Sequence, residues 1–205
     1  MNQADAATHE RVYRSIRGSI LSGDVLPGQK LVATRIAREH AASITPVREA
    51  LYRLAGEGMV VIAPAGFHVV PDSRTMFLDM LDLSQKLLVI GIQRWRIDGT
   101  VFADPYRQEG DVSAEMAVIC LENVLAHLFA ATRNKAIIAW GRNAGERLRR
   151  IRLVQCRISR SSRRECMTFH ALALQGDLAR LRRQILAHHR RMMAMIDYQF
   201  GEQDE

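Results

Sequence analysis

Cysteine is scarce in this chain. Cys120, Cys156 and Cys166 are an odd number without the dense spacing of a disulfide scaffold, so all three are expected as reduced thiols. Long apolar runs are missing too: the longest strongly apolar stretch, Leu87 to Ile92, lies between Lys86 and Arg94, far short of the roughly 20 residues that span a bilayer. The first residues carry no apolar secretory core, so the expectation is a cytoplasmic protein with no membrane partner. There is no internal repeat or low-complexity tract, no Gly-rich phosphate loop, no nucleophile elbow and no His-Glu-x-x-His zinc helix. Cys166 with His170, or Cys156 with a distant histidine, could pair a thiol with a base, but nothing else points to catalysis, and the expectation is a protein that is not an enzyme.

What is present is ordinary globular material: 205 residues, 48% hydrophobic and 25% charged, enough for one or two domains with a sizeable core. The net charge of +7 suits a nucleic-acid partner, yet its distribution is uneven. Residues 1 to 73 hold 8 basic against 7 acidic side chains, whereas residues 74 to 205 hold 21 against 15. Nine arginines fall between Arg142 and Arg164 with Glu146 as their one acid. Such a run reads as a solvated helix face, as a pocket for an anionic ligand or as a secondary DNA contact.

The most informative segment is residues 31 to 51. Leu31, Ile36, Ala37 and His40 form one short helical pattern, and Val47, Ala50, Leu51 and Leu54 form a second with the spacing of a helix buried along one face. Arg48, Glu49, Tyr52 and Arg53 are left outside. Thr45 is expected to cap the second helix and Pro46 to occupy its first position, where a missing N–H costs nothing. Gly56 and Gly58 end it, and Met59 to Ile62 and Phe67 to Val70 read as two strands around Ala63-Pro64-Ala65-Gly66. A helix-turn-helix followed by a hairpin is a winged helix, which can set its second helix in a major groove and its hairpin tip on the backbone or minor groove. The same pattern also fits a packed helical pair with an adjacent hairpin that never touches DNA.

Val12-Tyr13, Ile16-Arg17, Ile20-Leu21-Ser22-Gly23, Leu26-Pro27-Gly28-Gln29-Lys30-Leu31, Thr45-Pro46-Val47-Arg48-Glu49-Ala50-Leu51, Leu54, Glu57-Gly58 and Gly66-Phe67 resemble the signature of the GntR family of bacterial transcription regulators over about residues 10 to 71. The resemblance implies operator contacts from Ser43, Ile44, Thr45, Pro46 and Arg48 at the start of the recognition helix, from Arg35 before it and from Gly66 at the wing tip. Two positions depart from the family habit. Ala41 stands where glycine is usual, and Ile44 where arginine, a reader of guanine, is frequent. A bidentate Arg–guanine pair contributes about 1–3 kcal/mol of base discrimination, so Ile44 implies a different base preference or weaker specificity.

Beyond Pro71-Asp72-Ser73 the pattern is helical. Met76, Phe77, Met80, Leu81, Ser84, Leu87 and Leu88 recur at helical spacing, and Asp98-Gly99, Asp104-Pro105 and Gly110-Asp111 form a turn-rich interval. Ser113 is placed to cap a helix reaching Thr132, with Glu115 in its first turn, and Asn134 to start another reaching Ser159. A helix from about Ser162 to Gln175 follows, then Gly176-Asp177 and a last helix with Leu178, Leu181, Ile185, His188, Met192 and Ile196 on one face. The expected fold is mainly α: a winged helix-turn-helix with a small β-hairpin wing over residues 1–73, then an all-α helical bundle over 74–205.

Leu125-Ala126-His127-Leu128, Asn134-Lys135, Arg147-Leu148-Arg149 and Gly176-Asp177-Leu178-Ala179 with His188 beyond are similar to the FadR-type ligand-sensing domain that accompanies GntR-type winged helices, although residues 84 to 91 lack its Arg-x-x-Leu-Glu pattern. Many such domains hold a divalent metal through one aspartate and three histidines, and those positions fall on Asn123, His127, Cys166 and His188. A neutral Asn carbonyl and a Cys would shift preference towards zinc, while the lost carboxylate removes charge that offsets a divalent ion. The other reading makes both histidines hydrogen-bonded interior residues and Cys166 a small buried hydrophobe. By resemblance the chain is then a repressor that binds a pseudo-palindromic operator as a homodimer and answers to a small-molecule effector such as a carboxylate. A metal-dependent sensor and a non-specific architectural DNA-binding protein are the alternatives.

Overall fold

A computed structural model describes residues 3–94 and 112–201, and the chain divides into two compact units, Met1–Ser73 and Arg74–Glu205. The turn-rich interval expected around Asp98-Gly99, Asp104-Pro105 and Gly110-Asp111 lies outside the described residues.

In the first unit, α1 (Gln3–Ser22), α2 (Ala33–Glu39) and α3 (Ile44–Gly56) are joined by a small sheet of β1 (Lys30–Leu31), β2 (Val60–Ala63) and β3 (Gly66–Val69). The sheet is antiparallel in the order β1-β3-β2; Ala63 pairs with Gly66 to close the expected hairpin, and Leu31 pairs with Phe67. Leu31 is therefore a strand residue rather than the start of α2. One core holds the unit together: Val12, Tyr13 and Ile16 of α1, Ile36 and Ala37 of α2, Val47, Ala50, Leu51 and Leu54 of α3, and Val60, Phe67 and Val69 of the sheet. The period of 3.6 in the helices and of two in β3 places all these apolar side chains on facing surfaces.

The turn between α2 and α3 explains one oddity of composition. Ala42 N–H donates to the Ala37 carbonyl at 2.9 Å and Ala41 N–H to that of Arg38 at 3.2 Å, closing α2 with a left-handed residue between. That residue is Ala41, with φ of +47°. A Cβ is disfavoured there by about 1–2 kcal/mol, part of which glycine would return as unfolded-state entropy. Ala41→Gly is expected to raise stability by about 0.5–1 kcal/mol, read as a higher urea midpoint at unchanged slope.

The second unit is helical throughout its described residues: α4 (Arg74–Arg94), α5 (Ala114–Ala131), α6 (Lys135–Ile158), α7 (Arg160–Gln175) and α8 (Leu178–Gly201). Its caps follow the sequence closely. Ser113 Oγ accepts from Met116 N–H at 3.1 Å, Asn134 Oδ1 from Ala136 N–H at 2.9 Å, and Asp177 Oδ1 from Arg180 N–H at 3.0 Å. Gly176, at φ of +70°, supplies the left-handed close of α7. Ser159 ends α6 and also caps α7, whose first turn starts slightly earlier than the Ser162 expected.

By length and composition alone α5 is apolar enough to pass for a membrane span, which the short Leu87–Ile92 run had not suggested. Its burial accounts for that character. Ala117, Val118, Leu121, Val124, Leu125 and Leu128 are inside, and the helix packs against α4, α6 and α7. A second cluster joins Phe77 and Leu81 of α4 to Leu148 and Ile151 of α6 and Met192 and Ile196 of α8.

Candidate nucleic-acid interface

Helix α3 starts at Ile44 with Ser43 as its N-cap residue, two positions before the start that Thr45 and Pro46 suggested, and Ser43 makes no side-chain capping bond. Pro46 is thus the third helical residue. It is still tolerated, because the first four N–H groups of a helix have no intrahelical partner. Its ring is buried with Val47 on the core side, so Pro46 does not share the exposed surface of Ser43, Ile44, Thr45 and Arg48.

Two edges of α3 have different duties. Glu49 and Arg53 face α1, where Glu49 meets His9 and Arg53 meets Glu10 at 3.0 Å. Arg53 also stacks its guanidinium 3.6 Å over the Tyr13 ring, and Tyr13 Oη donates to Glu57 at 2.7 Å. Burial, helped by the Glu57 carboxylate, raises the Tyr13 phenol above its ordinary range, so it remains a donor. Tyr52 leans the other way, edge-on to Phe67 of β3 with ring centroids 5.2 Å apart. Between these edges Ile44, Thr45 and Arg48 stand exposed, and Arg48 has no hydrogen bond or ion pair among the described residues.

This arrangement resolves the apparent charge problem of residues 1–73. Four of their seven acids are engaged by basic side chains: Glu10 by Arg14 and Arg53, Glu57 by Arg17 and Arg53, Glu49 by His9 and Glu39 by Arg35. Arg38, Arg48 and Lys30 are exposed cations with no acidic partner among the described residues. The near-neutral total therefore hides a divided surface. Arg35 is held at 3.4 Å by Glu39 in an exposed i,i+4 pair, a bond of about 0.3–0.5 kcal/mol that a phosphate can replace.

At the wing, Gly66 has φ of +111°, and a Cβ there would lie 3.7 Å from Lys30 Cε, so the Lys30 stem runs alongside the hairpin tip. Lys30 was not among the sequence candidates, and neither was Arg38. The alternation of exposed Lys30 with buried Leu31 is a strand signal too short to read in a two-residue element. Arg38 could have been found as the residue three past Arg35 on the same helix.

The proposed metal set does not come together. Asn123 is exposed, and His127 Nδ1 donates to its own helix, to the Asn123 carbonyl at 2.7 Å. Cys166 is buried with its Sγ 3.9 Å from Cys156 Sγ, and that neighbour together with burial pushes its thiol up, away from the thiolate that a metal requires. The same shift argues against Cys166 as a nucleophile for His170. His188 is buried edge-on to Phe169, and burial holds its pKa down at about 3. Among the described residues no three His, Cys, Asp or Glu side chains form a group able to hold a metal ion, so the residues present do not fit a divalent metal.

Comparison with known proteins agrees with the geometry. Residues 8–69 match the family described as bacterial regulatory proteins, gntR family. The HTH-type transcriptional regulator McbR of Escherichia coli K12 is 33% identical over 72 residues, which are 35% of this chain and 33% of that protein. An uncharacterized HTH-type transcriptional regulator in an unstable DNA locus of Streptomyces ambofaciens is 37% identical over 65 residues, 31% of this chain and 28% of that protein. The chain thus matches about a third of the length of these curated relatives. Two solved structures share the fold over nearly the whole chain: a putative transcriptional regulator GntR from Rhodococcus sp. RHA1, with a TM-score of 0.71, 14% identity and coverage of 93% of this chain and 97% of that one, and E. coli McbR/YncC, with a TM-score of 0.63, 17% identity and coverage of 94% and 98%.

Proposed function

From the premise that residues 8–69 form a domain of the GntR family of bacterial regulatory proteins, we propose that the chain is a DNA-binding transcription regulator that seats the leading turn of α3 in the major groove of an operator. The observation that carries this reading is the exposed Arg48, unpaired among the described residues, beside Ser43, Ile44 and Thr45 on a helix whose other edges are fastened into the unit. Arg48 and Arg38 meet phosphates or base edges, Thr45 and Ser43 supply hydroxyl groups, and Lys30 and Gly66 bring the wing to the backbone. Ile44, 45% exposed, offers a hydrocarbon surface suited to a thymine methyl rather than to guanine.

One winged helix reads only a few base pairs, so the protein acts as a homodimer on two half-sites, by resemblance as a repressor. The helical unit takes a metabolite whose differential affinity for two arrangements of the dimer sets operator affinity. Selection of bound duplexes from a random pool tests the reading. Enrichment of an inverted repeat with half-sites about 10 base pairs or a multiple apart is expected. Binding that is salt-dependent but leaves the pool unenriched would instead favour an architectural DNA-binding protein.

A further inference from the structure

Two of the three thiols touch. Cys156 of α6 and Cys166 of α7 are each 1% exposed, and their sulfurs lie 3.9 Å apart in a thiol–thiol hydrogen bond. They stand ten residues apart on either side of Ser159, which ends α6 and caps α7, so it is the reversal of the chain there that brings them together. A disulfide holds its sulfurs at about 2.05 Å, and rotation about the two Cα–Cβ bonds is the movement that closes such a gap.

The surrounding charge makes the two sulfurs unequal. Arg152, one turn before Cys156 on α6, is 1% exposed; its Nη1 donates to the Gly145 carbonyl at 3.2 Å, while its Nε and Nη2 are buried with no hydrogen-bond partner. A guanidinium stays charged, so a core that holds one favours a nearby anion. The hydrogen bond from Cys166, with the charges of Arg163 and Arg152, holds the Cys156 thiol below its ordinary range against the effect of burial. Glu115, the acid that opposes a thiolate at Cys156, is engaged by Arg157. Cys166 is pushed the other way, by Cys156 first and then by burial. Cys156 is therefore equipped to attack, and Cys166 is placed to follow. Cys156 is also next to the exterior: Arg157 and Ile158, which follow it, are exposed, and the last turn of a helix is where fraying opens a path.

We propose that Cys156 and Cys166 form an oxidisable dithiol, a modification site at which hydrogen peroxide ties α6 to α7 across Ser159 through a reversible disulfide. The Cys156 thiolate attacks one peroxide oxygen. The O–O bond breaks, a sulfenic acid forms on Cys156, and the other oxygen leaves and takes up a proton as water. That step removes the hydrogen bond that held Cys166 up, while the Arg152 charge that favours its thiolate remains. Cys166 then attacks the Cys156 sulfur: the S–S bond forms, the S–O bond breaks, and hydroxide leaves with the Cys166 proton as a second water. Two thiols and one peroxide thus give one disulfide and two waters, the sulfurs losing the two electrons that the O–O bond takes up. Nothing in this chemistry depends on how α3 meets DNA.

The test is brief treatment of the folded full chain with hydrogen peroxide, a quench with a thiol-alkylating agent under denaturing conditions, and a tryptic digest without reductant. Cys156 falls in the peptide of residues 153–157 and Cys166 in that of residues 165–180, so these two peptides linked, lighter by two hydrogens than their sum, report the bond directly. The link is expected within one molecule, opened by dithiothreitol, and formed roughly tenfold or more faster than Cys120 is oxidised. Cys120→Ser should leave it unchanged. Cys166→Ser should stop at the sulfenic acid, captured by dimedone on residue 156, whereas Cys156→Ser should give no link and roughly tenfold less adduct. Cys156→Ala and Cys166→Ala, small and apolar, serve where a buried serine hydroxyl unfolds the chain, with circular dichroism checking the fold. Equal oxidation of all three thiols, a disulfide between chains or to Cys120, or a link seen only in unfolded protein would each overturn the dithiol. Dimedone capture on Cys166 in preference to Cys156 would overturn the order of attack.

Discussion

Arg48→Ala is expected to weaken binding to every duplex, cognate or not, by roughly 1–3 kcal/mol per protomer, or about 30-fold to beyond 10⁴-fold for a dimer losing both contacts. Arg48→Glu should be worse, because it adds repulsion from the phosphates. The salt dependence is the sharper readout. Each lost phosphate contact lowers the slope of log K against log salt by about one, so a dimer should lose about two and a monomer about one. Arg48 has no intramolecular partner among the described residues, so its removal should leave stability within about 0.5 kcal/mol of the parent. Fluorescence-anisotropy titrations at several salt concentrations measure both quantities. An unchanged affinity and slope would mean that α3 does not lead into the groove.

Gly91→Ala should cost the helical unit about 2–3 kcal/mol, even though alanine is the better helix former by about 1 kcal/mol. The cause is a close approach of α4 to α5. A methyl group at residue 91 would lie 2.4 Å from the Leu128 carbonyl oxygen and 2.9 Å from its carbon, and a backbone atom in the middle of a packed helix cannot swing aside. Calorimetry should find the melting temperature lower by roughly 5–10 °C for a chain of this size. Gly141→Ala makes an instructive contrast, since its new methyl would meet the Phe129 ring at 2.6 Å, a side chain with some freedom to tilt. A Gly91→Ala protein as stable as the parent would show that the two helices are not packed at this point.

The features that were legible in the sequence are those decided locally. Ser113, Asn134 and Asp177 cap helices because a short polar side chain next to an apolar periodic run has one good use, and Gly176 closes a helix because its left-handed backbone suits glycine. The winged helix was legible for the same reason, with its core positions fixed by period. What escaped depends on partners distant in sequence. Leu31 is pulled from helix to strand by pairing with Phe67, a choice that no window around residue 31 contains. Pro46 looked like the first residue of α3 because proline fits there best, but it fits the third as well, and burial against the core set the register. The arginine run of α6 is not one face with one fate. Arg149 meets Glu122, Arg157 meets Glu115 at 2.8 Å and Arg152 is buried, a division that depends on which helix lies opposite each position. The ligand set taken from resemblance failed in the same way, since spacing along the chain cannot say that Cys166 turns towards Cys156.

The knot of Tyr13, Glu57, Arg53 and Glu10 fastens α3 to the unit, while Ile44, Thr45 and Arg48 at its leading end stand exposed. On the docking proposed above, foldability and target choice fall on different residues of one 13-residue helix. On that docking, single exchanges at these three exposed positions would move the protein from one binding sequence to another while leaving its core contacts in place.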